Sequence, residues 1–317
     1  MNNLGDITKI EKLLQADLWT YSFPCTDISL AGKQRGLEKG SSTSSSLLWE
    51  VERLLNVSKE HSELPKYLLM ENVKALVSKK FIPDFNEWLL YLESLGYKNY
   101  WKVLNAKHYG IPQNRERIFL LSIKDEHAHY EFPQQVKLDT KLSDYLEKDV
   151  DDKYFISLKR IVNFTSMKSR NGFIRGVRFK PHHETSPYAY TICTSASNRV
   201  TDNFIIVPEN TKLGYKAAEI GDGIYTNRTS KKRGVVQKNA IPTLKTYVAA
   251  LAVVVKKDEL ISIRRLTPRE CFRLMGWKDE KINLIINDFS DTQLYKMAGN
   301  SIVVNVLVSL FSFICCY

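Results

Sequence analysis

The sequence predicts an α/β protein with a second, smaller domain made mostly of strands and loops. Residues 1–130 alternate between short apolar runs and helical patterns, as the βα units of an open sheet do. Helical periodicity then stops, and residues 131–258 contain short apolar runs separated by long, polar, basic loops. Helical patterns return in residues 259–317. We therefore expect residues 1–130 and 259–317 to form one domain and residues 131–258 to form the other.

The first segment should fold as alternating strands and helices. The runs DLWTYSF, YLLMENV and RIFLLSI are short and apolar, which predicts buried strands. Apolar residues three and four apart predict a helix in LLWEVERLLNV and a second one in FIPDFNEWLLYLESLGY, ended by Gly96. Catalytic residues of such folds lie at the carboxyl ends of the strands.

Strands are predicted in the middle segment and helices near the end of the chain. The runs YAYTICTS, NFIIV and VAALAVVV predict strands. Thr267 and Pro268 should begin a helix in LTPRECFRLMGW, because threonine caps helix N-termini and proline fits the first turn. We expect a last helix to begin after Gly299. Its run IVVNVLVSLFSFICC is too short and too interrupted by polar residues to span a membrane, which predicts a buried helix.

Composition and charge favour a globular protein with a polyanionic partner. Apolar residues make up 44% and charged residues 26% of the 317 residues, which argues against wholesale disorder. Lysine and arginine outnumber aspartate and glutamate by 46 to 35, and 13 of these basic residues against 5 acidic ones lie between Lys168 and Lys238. Tyrosine and phenylalanine are interleaved with them, which favours a nucleic-acid-binding face over an ordinary solvated surface.

Cysteine usage predicts neither a metal site nor disulfides. No two of the five cysteines are spaced as CxxC, and His182–His183 has no cysteine nearby, so we expect no zinc site. An odd number of cysteines without a signal peptide is typical of a reducing cytosol, and we expect a cytoplasmic protein.

Three short motifs carry candidate chemistry. Pro24–Cys25 lies in FPCTDISLAG, Glu71 begins the Glu-Asn-Val of MENV, and Arg115 and Arg117 alternate in QNRERIFLLSI. Each motif has a plainer interpretation: a small buried cysteine, a glutamate that caps a helix, and a surface arginine pair. A catalytic role is favoured by the order of the three motifs along the chain. It is also favoured by the positions of Cys25 and Glu71, which both fall at the ends of predicted strands. Alternation on a strand would place both arginines on one face.

Together with GDITKI, AIPTLKT, RRLTPRECFRLMGW and AGNSIVVNVL, these motifs resemble the cytosine-5 DNA methyltransferase family over nearly the whole chain. The resemblance implies a Rossmann-like sheet that uses S-adenosyl-L-methionine and a target-recognition domain that binds double-stranded DNA. It implies that residues 1–130 and 259–317 are catalytic and that residues 131–258 recognise the target.

The resemblance also implies roles for individual residues. The Cys25 thiolate would attack carbon 6 of a flipped cytosine, because carbon 5 becomes nucleophilic only after aromaticity is broken. Glu71 would act at ring nitrogen 3, and a planar arginine would contact the cytosine carbonyl oxygen or Glu71. The remaining implied residues contact the cofactor (Asp6, Ile7, Pro24, Asn300 and Ser301) or recognise the target (Thr243 and Leu244).

The chain departs from the family pattern in three places. The first family motif, a glycine-rich cofactor turn, belongs about two βα units before GDITKI, whereas the chain begins at Met1. We therefore expect a sheet that is incomplete at its N-terminus, with a separate N-terminal chain as one source of the missing strands. Thr26 stands where glutamine is usual after Pro-Cys, and Thr43–Ser45 lacks the usual basic residue.

These observations lead to one principal function and two alternatives. The principal prediction is a bacterial or phage-encoded DNA (cytosine-5) methyltransferase of a restriction–modification system. The first alternative is a truncated, non-catalytic DNA-binding fragment or subunit that needs a partner chain to bind cofactor. The second is an RNA cytosine methyltransferase, which the basic recognition segment disfavours, since that branch has a reduced one.

Overall fold

The structure is a computed structural model. It describes residues 3–24, 28, 47–155, 204–208, 215–226, 234–244, 251–257 and 260–314. The predicted strand YAYTICTS and most of the basic segment between Lys168 and Lys238 lie outside these residues.

The chain packs as two compact units. The first comprises residues 1–105, 116–134 and 309–317, and the second comprises residues 106–115 and 135–308. The change at residue 134 is close to the predicted boundary at residue 131. The end of the chain differs from the expectation, because residues up to 308 pack with the second unit and not with the first. The division into catalytic and recognition segments stays a prediction.

In the described part of the first unit, four strands form one sheet, and a helix lies in the chain between the first and second strands and another between the second and third. In chain order these elements are β1 (Leu18–Tyr21), α1 (Leu48–Glu60), β2 (Tyr67–Val73), α2 (Ile82–Ser94) and β3 (Lys98–Asn105), followed by β4 (Gln113–Asn114) in the second unit and β5 (Glu116–Ile123) in the first. The strand order is β1-β2-β5-β3. β1 is parallel to β2, while β5 is antiparallel to both β2 and β3. The predicted strands and helices of this segment are confirmed, and β3 is an addition.

The two helices bury the faces that their apolar spacing predicts. Trp88 of α2 is fully buried and packs edge-to-face on Tyr21 and Trp49, with ring centroids 6.0 and 6.2 Å away. Its indole nitrogen donates to the Tyr21 hydroxyl at 3.0 Å, so the buried N–H is paired. Gly96, with φ +85°, follows α2 in the left-handed conformation that only glycine adopts without strain. These contacts join α2 to the end of β1.

The second unit is built from short sheets and C-terminal helices. Its further elements are β6 (Phe204–Pro208), β7 (Tyr215–Glu219), β8 (Gly223–Tyr225), β9 (Val236–Gln237), β10 (Ile241–Pro242), β11 (Leu251–Lys257), β12 (Leu260–Arg264), α3 (Pro268–Arg273), α4 (Asp279–Ile282), α5 (Asp291–Asn300) and the start of α6 (Val304–Ile314), whose residues from Ser309 onward belong to the first unit. Among the described residues, β12-β11-β8-β9 form one sheet, β6 and β7 pair antiparallel, and β10 pairs parallel with β4. The strands predicted in NFIIV and VAALAVVV are thereby confirmed.

The C-terminal helices differ from the expectation in one respect. Gly299 lies inside α5, so the last helix begins at Val304 and not directly after Gly299. By length and composition alone, residues Asp291–Ser312 could cross a membrane, with a mean hydropathy of 1.4. The backbone leaves the helical conformation at Ser301, where ψ is 160°, and this divides the segment into α5 and α6.

A buried ion pair organises the start of α3. Thr267 caps the helix as predicted, and Glu270 closes a capping box with it. The Glu270 carboxylate is fully buried and accepts two hydrogen bonds from the Arg264 guanidinium, at 2.8 and 2.7 Å. It also accepts from the backbone N–H of Glu147 at 2.8 Å. The pairing satisfies a charge that would otherwise be costly to bury.

Removing one partner of this pair should destabilise the protein markedly. Arg264→Met leaves the Glu270 carboxylate buried without its counter-charge, and we expect a loss of about 3–5 kcal/mol in the free energy of unfolding. Arg269→Met is the control, because Arg269 is 22% exposed and pairs with Glu147 at 3.4 Å near the surface, where such pairs contribute less than about 1 kcal/mol. Urea unfolding of both variants measures the difference, and equal losses would contradict the prediction.

Candidate active site

The end of β2 presents two polar side chains to opposite faces of the sheet. Glu71 and Asn72 are consecutive, so their side chains alternate. In the antiparallel register Val73 lies opposite Arg117, which puts Arg117 on the same face as Glu71 and diagonal to it. The Arg117 Nε lies 3.0 Å from the Glu71 Oε1, and the Glu71 side chain is only 9% exposed. β2 and β5 thus hold a carboxylate and a guanidinium together.

Asn72 ties the other face of β2 to the segment that follows β1. Its Nδ2 donates to the backbone carbonyl of Phe23 at 3.1 Å, and its Oδ1 accepts from the backbone N–H of Val73 at 2.8 Å. The parallel register that pairs Tyr21 with Met70 brings these two strand ends side by side. With 2% exposure, Asn72 makes both bonds inside the protein, where an unpaired amide would be costly.

The cysteine motif is anchored on both sides by apolar residues. Phe23 is 4% exposed and Ile28 is fully buried, and both belong to the hydrophobic core of the first unit. Pro24 is exposed. Cys25, the predicted nucleophile, lies outside the described residues. On its N-terminal side the motif is held at the end of β2 through the Phe23 carbonyl, and on its C-terminal side Ile28 is buried in the core.

Arg115 has different partners from Arg117. It lies between β4 and β5, so the two arginines do not share one uninterrupted strand as the sequence predicts. Its guanidinium donates to three backbone carbonyls: Leu244 at 2.9 Å, Gly299 at 3.2 Å and Ser301 at 3.0 Å. Arg115 is 4% exposed and belongs to the second unit, whereas Arg117 and Glu71 belong to the first. The ion pair with Glu71 is made by Arg117.

The predicted recognition pair lies against β4. The Thr243 hydroxyl donates to the backbone carbonyl of Asn114 at 2.8 Å. Leu244 is fully buried, and its N–H donates to the Gln113 Oε1 at 3.2 Å. Because the Leu244 side chain has no exposed surface here, it packs inside the second unit, and Thr243 is the more accessible of the two.

The predicted cofactor residues are divided between the two units. In the first unit, the Asp6 carboxylate caps a short 3-10 helix by accepting from the Thr8 N–H at 3.0 Å. Ile7 lines a mostly apolar cavity of about 580 Å³ together with Trp19, Val51 and other residues. In the second unit, Asn300 is the last residue of α5 and is exposed. Ser301, which follows it, is partly buried.

Cys271, a cysteine among the described residues, has an environment that disfavours a reactive thiolate. It is fully buried in α3, and burial raises the pKa of its thiol well above the ordinary value, with the neighbouring Glu270 carboxylate adding to the effect. A protonated, inaccessible thiol does not attack an electrophile. Cys271 is therefore a structural residue and a suitable control for Cys25.

Comparison with known proteins identifies the family of the chain. The sequence profile described as C-5 cytosine-specific DNA methylase matches residues 1–315. The chain belongs to this family. The family transfers methyl groups to cytosine carbon 5 in DNA and uses S-adenosyl-L-methionine.

Three curated relatives of this methyltransferase come from bacteria. M2.ScrFI, a type II methyltransferase of Lactococcus lactis subsp. cremoris, is 38% identical over 98% of the chain and 70% of its own length. The orphan methyltransferase M.SssI of Spiroplasma monobiae is 45% identical over 52% of the chain, and that match spans 43% of the relative. M.SsoII, a type II methyltransferase of Shigella sonnei, is 30% identical over 96% of the chain and 65% of its own length.

Solved structures support the fold. The S. pombe Dnmt2 methyltransferase matches with a TM-score of 0.54 and 18% identity, over 93% of the chain and 76% of its own. The Entamoeba histolytica methyltransferase EhMeth matches with a TM-score of 0.53 and 17% identity, over 94% and 76%. The expected Rossmann-like α/β fold is confirmed.

Sequence reasoning missed residues of the methyltransferase that support the site through buried hydrogen bonds or apolar packing. Gln113 has no exposed surface, and its amide donates to the Leu274 carbonyl at 2.7 Å. Phe23 and Ile28 anchor the cysteine motif but look like ordinary apolar residues in the sequence. A signal existed for Gln113, since a polar pair between Pro112 and a buried strand is unusual unless it is hydrogen-bonded.

Asn72→Asp should reduce methylation more than it reduces stability. Aspartate keeps the acceptor for the Val73 N–H but loses the donor to the Phe23 carbonyl, so the segment before Cys25 loses its tether. A misplacement of about 1 Å can cost roughly 10²-fold in rate, and we expect a fall in kcat of that order. Initial rates of methyl incorporation into DNA measure it.

Asn99→Asp is the matched control. The Asn99 Nδ2 donates to the Leu89 carbonyl at 3.1 Å and its Oδ1 accepts from Ser122, so the change removes the same kind of bond elsewhere in the first unit. We expect a similar loss of stability with kcat retained. Equal effects of the two changes on kcat would show that the Asn72 bond has no special role.

Proposed function

We propose that the chain methylates carbon 5 of a cytosine flipped out of double-stranded DNA, through a transient covalent bond from Cys25. The observation that carries the proposal is the Glu71–Arg117 pair, at 3.0 Å, at the end of β2. The next residue of β2, Asn72, holds the Phe23 carbonyl just before the cysteine motif. A carboxyl group and a guanidinium held side by side beside the cysteine motif match the polar edge of a pyrimidine. A base inside a duplex cannot offer carbon 6 to a thiolate, so it has to be flipped.

The chemistry follows from what each side chain can supply. The Cys25 sulfur forms a bond to carbon 6, and the electron pair of the broken double bond moves toward nitrogen 3 and the carbonyl oxygen. Glu71 hydrogen-bonds or protonates nitrogen 3, and Arg117 both orients the carboxyl group and stabilises negative charge on the oxygen. When bound, S-adenosyl-L-methionine supplies the methyl group to carbon 5. The carbon 5 proton then leaves to a base, and the sulfur–carbon bond breaks to free Cys25.

The residues of the first unit fit part of this cofactor. The cavity beside Ile7 is lined mainly by apolar side chains, which suits the faces of a flat adenine ring. Asp6 precedes Ile7 in the chain, and the bond that its carboxylate accepts from the Thr8 N–H gives it a defined orientation. Pro24 adds a rigid residue next to the cysteine.

In the second unit, the turn at Asn300 and Ser301 has polar atoms of the kind that bind the amino-acid end of the cofactor.

The proposed setting is a restriction–modification system or a phage. The type II relatives are bacterial, and the orphan methyltransferase M.SPRI, 27% identical over 98% of the chain, comes from Bacillus phage SPR. Both settings place the protein in the bacterial cytoplasm with chromosomal or phage DNA as its substrate.

A mechanism-based trap tests the covalent step. DNA that carries 5-fluorocytosine should form a stable adduct with the protein in the presence of cofactor, because fluorine on carbon 5 cannot leave as a proton does. We expect a shifted band on a denaturing gel that Cys25→Ser abolishes and Cys271→Ala retains. An adduct that survives Cys25→Ser, or its absence from the unaltered protein, contradicts the proposal.

Glu71→Gln should slow methyl transfer without abolishing DNA binding. The amide keeps the size of the carboxyl group and can donate a hydrogen bond, but it cannot transfer a proton to nitrogen 3. Loss of general acid catalysis typically costs about 10²–10⁴-fold in rate. Glu116→Gln is the control, since Glu116 is 46% exposed and pairs with Lys74 at 3.0 Å on the surface. Single-turnover rates measure the effect, and a Glu71→Gln rate within about twofold of the control excludes the proposed role.

A further inference from the structure

Two polar side chains of the short segment 112–115 are buried in the second unit. Gln113 has no exposed surface, and Arg115 is 4% exposed. Buried groups of this kind are costly unless their hydrogen bonds are made. Every bond described for these two side chains goes to another part of the second unit, and four of them go to two segments: the Thr243–Leu244 element and the turn at Asn300–Ser301.

Arg115 connects those two segments directly. One terminal nitrogen, Nη1, donates to the Leu244 carbonyl at 2.9 Å. The other, Nη2, donates to the carbonyls of Gly299 and Ser301 at 3.2 and 3.0 Å. A rigid, planar fork can hold two backbone segments at a set separation, whereas the single ammonium group of lysine cannot.

The acceptors on α5 explain why a cation is favoured there. The last carbonyls of a helix have no partner inside the helix and carry partial negative charge. α5 ends at Asn300, and the Gly299 and Ser301 carbonyls lie on either side of that end. Arg115 therefore caps α5 from a distant part of the sequence, and its position determines the backbone of the turn that contains Asn300.

Gln113 gives the other segment its register. Its Oε1 accepts from the Leu244 N–H at 3.2 Å, and its Nε2 donates to the Leu274 carbonyl at 2.7 Å. β4 and β10 also pair, with Ile241 opposite Gln113. The Thr243–Leu244 element cannot shift along β4 without breaking these bonds and the bond to Arg115.

We infer that Arg115 is a positioning residue that couples the Thr243–Leu244 element to the Asn300–Ser301 turn, so that binding of DNA and of S-adenosyl-L-methionine strengthen each other through it. The inference rests on the proposed function, with DNA assigned to the first segment by the family resemblance and cofactor to the second. It gives Arg115 a role separate from that of Arg117. A ligand that orders one segment orders the other through the shared guanidinium, and the linkage is reciprocal.

The coupling is measured by titrating the full chain with S-adenosyl-L-methionine, alone and with saturating sheared, unmethylated genomic DNA. Such DNA contains copies of any short recognition sequence. We expect the cofactor to bind at least about fivefold more tightly with DNA present, the lower end of typical coupling. In Arg115→Lys the ratio should fall toward one, although the charge that attracts DNA is kept.

Arg264→Lys is the control for a general loss of stability. Arg264 is 3% exposed in the same unit and pairs with Glu270, without a described bond to either coupled segment. We expect this variant to keep the coupling ratio of the unaltered protein. An unchanged ratio in Arg115→Lys, equal losses in both variants, or a ratio of one in the unaltered protein overturns the inference.

Hydrogen exchange separates failure of the inference from failure of the proposed function. Without ligand, Arg115→Lys should speed exchange of the Leu244 and Ser301 amides together and leave the Leu274 amide, which donates to Glu270, unchanged. Acceleration of only one of the first two, or of neither, overturns the inference. If the unaltered protein binds no cofactor in either titration, the cofactor assignment of the proposed function fails, and the exchange result still decides whether Arg115 joins the segments.

Discussion

The first unit depends on the alternation of side chains at the end of β2. Consecutive residues of a strand face opposite sides, so Glu71 and Asn72 serve different surfaces from one stretch of backbone. One side carries the ion pair with Arg117, and the other holds the carbonyl of Phe23. A shift of one residue in the β2 register would exchange the two faces and break both contacts. The positions of the side chains in the proposed mechanism therefore depend on the register with which β2 pairs with β1 and β5.

The second unit relies on polar groups that are buried and paired. Arg264 and Glu270 neutralise each other at the start of α3, while Gln113 and Arg115 satisfy backbone groups of three segments: the Leu244 segment and the C-terminal ends of α3 and α5. Bonds of this kind hold irregular backbone that apolar packing alone would leave free to adopt several conformations. In its described part, these side chains join short strands and helix ends that are far apart in the sequence.

One short sequence motif serves both units. Arg115 and Arg117 are two residues apart, yet the first belongs to the second unit and the second to the first. Arg117 faces a carboxylate, and Arg115 faces backbone carbonyls. Similar side chains in one motif thus acquire separate tasks, because charge assistance to a carboxylate and capping of a helix both use the guanidinium group.

The sequence by itself determined the local structure and the chemistry available. Helical spacing predicted α1 and α2, the Thr267 cap predicted α3, and the ordered motifs indicated the family. The sequence did not predict β3, because KNYWKVLN is half exposed and lacks a continuous apolar run. Nor did it predict the partners of Arg115, which are 129 to 186 positions away. Spacing and capping act between neighbours in the chain, whereas only the tertiary structure decides which distant carbonyl meets a given donor.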